Sequence, residues 1–135
     1  MKRWFMAWCL LLLGLLTGCS KDEEILAFTQ KLDSFTSEVV SRVEKAQDPK
    51  QGVDAAQQYL DSNQGELKSA YGELSGVRGY QVKEETMERL TNSVSENTGK
   101  VMGLKLKYVT ESVSDKEFDK KLDKLSDSYS AIFDG

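Results

Sequence analysis

From residue 25 onward the apolar residues recur in steps of three and four, and this periodicity constrains the fold more than any other feature of the chain. An α-helix turns once in 3.6 residues, so such a row lines one helix face and needs a cover. Ile25, Phe28, Leu32, Phe35, Val39, Val43 and Ala46 form the first row, which predicts a helix over roughly residues 22–47. Asp48-Pro49 then interrupts it. Aspartate is a good N-cap and proline is tolerated in a first turn, so the pair that ends one helix can begin the next.

The second row is Val53, Ala56, Leu60, Leu67, Ala70 or Tyr71, and Leu74. Within it, Asp61-Ser62-Asn63-Gln64-Gly65 reads on its own as a turn. Leu60 and Leu67 nevertheless stay seven residues apart, a phase that an arbitrary loop has no reason to keep, so one continuous helix is expected. Ser75-Gly76-Val77-Arg78-Gly79 forms the next connection. A third row holds Met87, Leu90, Val94, Val101, Leu104 and Tyr108. Glu84, Glu85 and Glu88 lie near its start and Lys100, Lys105 and Lys107 near its end, a distribution that complements the helix dipole. Ser114-Asp115-Lys116-Glu117 has the spacing of a capping box, with Ser114 at the cap of a last helix. That helix carries Phe118, Leu122, Leu125, Tyr129 and Ile132.

A single proline favours helices over sheet, and short connections set neighbouring helices antiparallel. The expected fold class is therefore all-α, an antiparallel up-down four-helix bundle over residues 25–135. A three-helix bundle with a loosely docked fourth segment is the alternative.

The beginning of the chain has a different character. Lys2 and Arg3 precede residues 4–16, an apolar run of 13 residues, whereas a membrane-crossing helix takes about 20. A basic start, a short apolar stretch and a small-residue site make a secretory signal. Leu16-Thr17-Gly18-Cys19 resembles the lipobox of bacterial lipoprotein precursors, in which a leucine and two small residues precede a cysteine that is lipidated. The resemblance covers about the first twenty residues and implies cleavage between Gly18 and Cys19, so that 1–18 is the signal peptide and 19–24 the lipidated N-terminus and tether. It further implies a diacylglyceryl group on the Cys19 sulfur and an acyl group on its amine, enough chains for firm anchoring. By the family's sorting pattern, Ser20 rather than aspartate looks like an address for the periplasmic face of the outer membrane. Cys9 leaves with the signal and Cys19 is acylated, so the mature chain has no thiol with which to form a disulfide.

Charge and composition then exclude several activities. Without residues 1–18, 16 basic residues face 22 acidic ones, a net charge of −6 that is repelled by nucleic acid and anionic head groups. The chain has no histidine, which removes the commonest general base and transition-metal ligand. Serines are plentiful, but none has a recognisable base partner or a glycine-framed nucleophile turn, so no catalytic residue, metal, cofactor or small-molecule substrate is expected.

Four features could still form a site. Glu84, Glu85 and Glu88, like Asp22-Glu23-Glu24, could attract a cation, although dipole complementation explains both clusters without one. Lys116, Lys120, Lys121 and Lys124, interleaved with Asp115, Asp119 and Asp123, could dock an acidic partner or simply be a solvated face. Gly99 and Gly103, one turn apart within the third helix, could admit another backbone or mark a frayed or kinked segment. Tyr59, Tyr71, Tyr80, Tyr108 and Tyr129 could line a binding surface, or sit at the core edge with wet hydroxyls.

Together these features lead us to expect a non-enzymatic, lipid-anchored envelope protein that acts on a protein partner in assembly, piloting or scaffolding. In size, anchor and helix content it is similar to the small helical pilotins that guide secretin subunits, a likeness of architecture without a shared motif. A periplasmic inhibitor or immunity-type protein, and a self-associating structural lipoprotein, are the competing expectations.

Overall fold

The computed structural model describes residues 21–77 and 81–134 of the chain. Five helices account for most of them: α1 (Asp22–Glu44), α2 (Pro49–Ser75), α3 (Glu84–Lys107), α4 (Val109–Ser114) and α5 (Lys116–Ser130). The described residues are all-helical, as the periodicity predicts, but they include a short fifth helix, α4, that no predicted row covers. Leu16, Thr17, Gly18, Cys19 and Ser20, together with Tyr80, lie outside the described residues.

Asp22, Glu23 and Glu24 fill the first turn of α1, and the row from Ile25 to Val43 is buried. The helix ends at Glu44 rather than near Gln47 because the chain must double back sharply. Asp48 takes the extended conformation that a following proline demands (φ −109°, ψ 115°), and its carboxylate accepts the Lys50 N–H at 3.0 Å. A Cβ placed on Gly52 would lie 2.8 Å from Ala46 Cβ, 2.8 Å from the Val43 carbonyl oxygen and 2.9 Å from that of Arg42. The start of α2 thus presses on the last turn of α1 at the one point where a side chain would keep them apart.

The 27 residues of α2 run unbroken through residues 61–65. Leu60 and Leu67 are both buried, while Asp61 and Asn63 point outward and bond their own helix. Asp61 accepts from Gln57 Nε2 at 2.9 Å, and Asn63 Nδ2 donates to the Tyr59 carbonyl at 2.8 Å. Residues that would favour a turn alone are held helical because the flanking leucines share one buried row.

Beyond Gly76 the chain returns to the start of α1. Lys21 N–H donates to the Gln81 carbonyl (3.3 Å), Lys83 N–H donates to Asp22 Oδ1 (3.0 Å), and Val82 is buried. From there α3 runs alongside α1 in the same direction, matched by Asn97 to Asp33 and by Lys107 to Glu44 at the far end. At Tyr108 the backbone leaves helical geometry (φ −106°, ψ 30°), which separates α3 from α4. Asp115 then caps α5 by accepting from the Glu117 and Phe118 N–H groups at 3.0 and 3.1 Å.

The cap is therefore one residue beyond its predicted place, and with Phe118 three residues on from Asp115 the expected box is replaced by a single capping carboxylate. Ser114 closes α4, its hydroxyl donating to the Thr110 and Glu111 carbonyls, and so is not free to cap α5. The carboxylate next to it takes the role because it can accept two N–H groups at once.

Helix α1 packs on α2 and α3, and α5 packs on the same two from the other side, with α4 against α3 and α5. Ion pairs and ring contacts show α1/α2 and α3/α5 to be antiparallel, whereas α1/α3 and α2/α5 are parallel. Lys50–Glu117 and Asp54–Lys121 match the starts of α2 and α5, and Tyr71–Phe133 matches their ends. Although consecutive in sequence, α2 and α3 do not pack on each other. Helix α3 starts instead beside the start of α1, where Gln81 and Lys83 bond Lys21 and Asp22.

Ile25, Leu32, Val39, Leu60, Leu122 and Leu125 are among the fully buried side chains of the core. An aromatic chain from Phe28 and Phe35 through Tyr59, Tyr71, Tyr129 and Phe133 has ring centroids 5.2–6.3 Å apart. Two polar ties cross it. Thr36 Oγ1 shares a hydrogen bond with the Tyr129 hydroxyl and also bonds the Leu32 carbonyl, joining α1 to α5. Gln57 Nε2 donates to Ser128 Oγ at 3.1 Å, joining α2 to α5.

Candidate interaction surface

Where α3 gives way to α4, the inward face is set by Val101, Leu104, Tyr108 and Ser112, at steps of three, four and four. Val101, Leu104 and Ser112 are buried and Tyr108 packs edge-on against Phe118, with ring centroids 6.0 Å apart. One residue further along runs a second apolar row: Met102, Leu106, Val109 and Val113, at steps of four, three and four. These four side chains are 55, 79, 52 and 79 % exposed. No other large apolar side chain among the described residues is exposed. Single exposed apolar side chains are ordinary, but a row gathering all of them within twelve residues needs a reason.

The backbone permits the row to continue past the break at Tyr108. Tyr108 N–H donates to the Leu104 carbonyl (3.0 Å) and Ser112 N–H to the Tyr108 carbonyl (2.9 Å), so the four-residue repeat holds on both sides. Gly99 and Gly103 lie one turn earlier on this helix, and a Cβ built at either meets nothing within 4 Å. Among the described residues no backbone approaches them closely. At the far end, Val109 and Val113 border a depression of about 340 Å³ with Ser112, Lys105, Lys116 and Asp119. The Ser112 hydroxyl beneath it is buried without a hydrogen-bond partner among the described residues.

Lys105 and Lys116 border the depression at the end of the row, and the other lysines of these helices differ in their partners. Lys105 is committed to the fold through Asp119 (3.2 Å) and Asp123 (2.5 Å), whose carboxylates raise its pKa. Lys121 is likewise tied to Asp54, and Lys107 to Glu44, each at 2.6 Å. Lys100, Lys116, Lys120 and Lys124 make no ion pair within the described residues and are exposed. Apart from Lys121–Glu117 at 3.7 Å, the interleaved charges of α5 do not pair with one another among the described residues. Asp115, Asp119 and Asp123 turn to lysines of α2 and α3, leaving Lys116, Lys120 and Lys124 as a cationic ridge on an acidic molecule.

The other sequence candidates resolve differently. Glu84 and Glu85 occupy the first turn of α3, where the positive helix end meets them, and Asp22, Glu23 and Glu24 do the same for α1. Glu85, Glu88, Glu96 and Asp33 border an open polar groove of about 560 Å³ between α1 and α3. Among the described residues no group of three acidic or thiol side chains converges as a metal site. Tyr59 lies beneath Arg42, whose guanidinium carbon is 4.6 Å from the ring centroid, and Tyr71 packs against Phe28 and Phe133. Tyr129 departs from the expected wet hydroxyl: it is fully buried, and burial pushes its pKa up to about 12.

Met102, Leu106, Val109 and Val113 belong to none of the predicted rows. Assigning Val101, Leu104 and Tyr108 to the core leaves these four as a surplus apolar row about 100° around the helix, and that surplus was the available signal. Compared with protein families, curated proteins and solved structures, the chain matches none.

Proposed function

We propose that this chain is a lipid-anchored, non-enzymatic protein of the bacterial envelope that acts by holding or guiding a protein partner at the periplasmic face of the outer membrane. The observation that carries the partner reading is the exposed apolar row of Met102, Leu106, Val109 and Val113 on an otherwise well-covered helical fold. The long helices α1, α2, α3 and α5 act in this proposal as an up-down four-helix scaffold, with α4 as the insert that extends the row.

The lipobox supports the anchor, and α1 begins only three residues after Cys19. A linker this short holds the start of the bundle close to the lipid surface, since three residues span about 10 Å at most. The absence of histidine from the whole sequence and the lack of a framed nucleophile support a binding role over catalysis.

Chemical crosslinking in intact cells tests the proposal. The wild-type chain gives a discrete adduct with a different envelope protein, and Cys19→Ser, which loses the anchor, loses the adduct. An adduct-free wild-type chain, or one whose adducts are unchanged by Cys19→Ser, overturns it.

A further inference from the structure

We infer that the row of Met102, Leu106, Val109 and Val113 is the seam on which one amphipathic helix of a partner protein lies, with carboxylates on that helix facing Lys116 and Lys120. This inference rests on the protein-partner reading above and names its surface and the chemistry of its occupant.

Three occupants can cover an apolar row: lipid, a second copy of the chain, or another protein. Lipid is disfavoured by position. Glu44 pairs with Lys107, so the row lies level with the end of α1, about 33 Å of helical rise from Asp22 and the anchored terminus. A second copy is disfavoured by charge. A two-fold contact along the row would set Lys116 against its counterpart when the rows run parallel, and toward the end that carries exposed Lys100 when they run antiparallel, so cation approaches cation either way.

The geometry also favours a helix over a sheet edge. The steps of four, three and four match the seam presented by a helix to a helix crossing at a shallow angle. Gly99 and Gly103, open above their backbone, allow the incoming helix to approach closely at one end. At the other end the depression beside Val109 and Val113 receives a protruding side chain next to the Lys116 ammonium. Carboxylates on the partner would find unpaired cations there, and such complementary charges speed encounter and fix register.

The test is site-specific photo-crosslinking in the host cell, with the probe amino acid placed in the full chain at Leu106 or Val113 and, as controls, at the exposed Gln58 and Thr91. The expected result is an adduct from Leu106 and Val113 but not from the controls. The crosslinked peptide, read by mass spectrometry, should lie in an amphipathic helix with acidic flanks. Lys116→Glu combined with Lys120→Glu should lower the yield by roughly tenfold, since two attractive rim contacts become repulsive. Both lysines are exposed, so circular dichroism should show the variant folded.

An adduct of twice the chain's mass, a lipid adduct, a basic or non-helical crosslinked segment, or a yield unchanged by the charge reversal each overturns the inference. Adducts only from Gln58 or Thr91, or equally from all four positions, remove this surface and leave the protein-partner reading standing. No adduct from any position removes both.

Discussion

Glycine-to-alanine substitutions along α2 separate two physical effects that usually travel together. In a helix interior, alanine is favoured over glycine by about 1 kcal/mol through backbone entropy alone. At Gly65 nothing lies within 4 Å of the added Cβ, so Gly65→Ala should realise that gain in full. At Gly52 the same methyl meets three atoms under 3.0 Å, two of them backbone carbonyl oxygens of α1. Overpacking a tight site costs about 1–3 kcal/mol, and fixed backbone neighbours place this one toward the upper end. The net effect of Gly52→Ala is then a loss of about 1–2 kcal/mol, and the two variants should differ by roughly 2–3 kcal/mol. Urea unfolding followed by circular dichroism, on a chain beginning at Ser20, reads this directly. At about 4 °C per kcal/mol, the melting temperatures should separate by roughly 10 °C. If Gly52→Ala stabilises as much as Gly65→Ala, the close approach between α1 and α2 is wrong. If Gly65→Ala destabilises, α2 does not run through residues 61–65.

Tyr129→Phe should cost about 1 kcal/mol in urea, because Thr36 Oγ1 keeps its bond to the Leu32 carbonyl when it loses the phenol. Tyr129 ionises at about 12 in the fold against about 10 unfolded, so the unfolded chain releases this proton first as pH rises. Its contribution is complete below pH 10 and is lost as pH climbs through 12, a step that absorbance at 295 nm should show in wild type and not in Tyr129→Phe. Asp115→Ala should lower the melting temperature by several degrees while Ser114→Ala leaves it unchanged, which separates the observed cap from the predicted one. The Phe118 N–H holds the Asp115 carboxyl below the usual carboxylate range, and the Lys50 ammonium does the same for Glu117. Stability from both is therefore present above about pH 4 and lost below it, and Asp115→Ala should flatten the acid limb of a stability–pH curve. Asn97→Asp should destabilise by roughly 2–3 kcal/mol in urea, because it sets a buried carboxylate at the 2.6 Å contact now made to Asp33.

Much of the architecture was legible because burial is periodic. The rows assigned from spacing reappear as the buried faces of α1, α2, α3 and α5, and the Asp48-Pro49 break acts as both stop and cap. The continuity of α2 was also legible, since Leu60 and Leu67 keep phase across a polar stretch. Three things were not.

The end of α1 depends on how closely α2 folds back at Gly52, a contact between backbones that no residue pattern records. The choice between Ser114 and Asp115 as cap depends on which side chain is already engaged by α4, and the box spacing fits only one of them. Which helices neighbour one another is decided by where α3 begins, beside the start of α1, with Gln81 and Lys83 tied to Lys21 and Asp22. The candidate surface was hidden for another reason. Met102, Leu106, Val109 and Val113 look like core residues until Val101 and Leu104 are seen to fill the core without them.

The central proposition is that Cys19 holds a helical scaffold on a lipid surface outside the cytoplasm. Intact mass spectrometry of the chain purified from host membranes tests it most directly. A mature N-terminus at Cys19, carrying the mass of a diacylglyceryl group and an additional acyl chain, is the predicted result. A chain that retains Met1, or one whose N-terminal cysteine carries no lipid, contradicts the account.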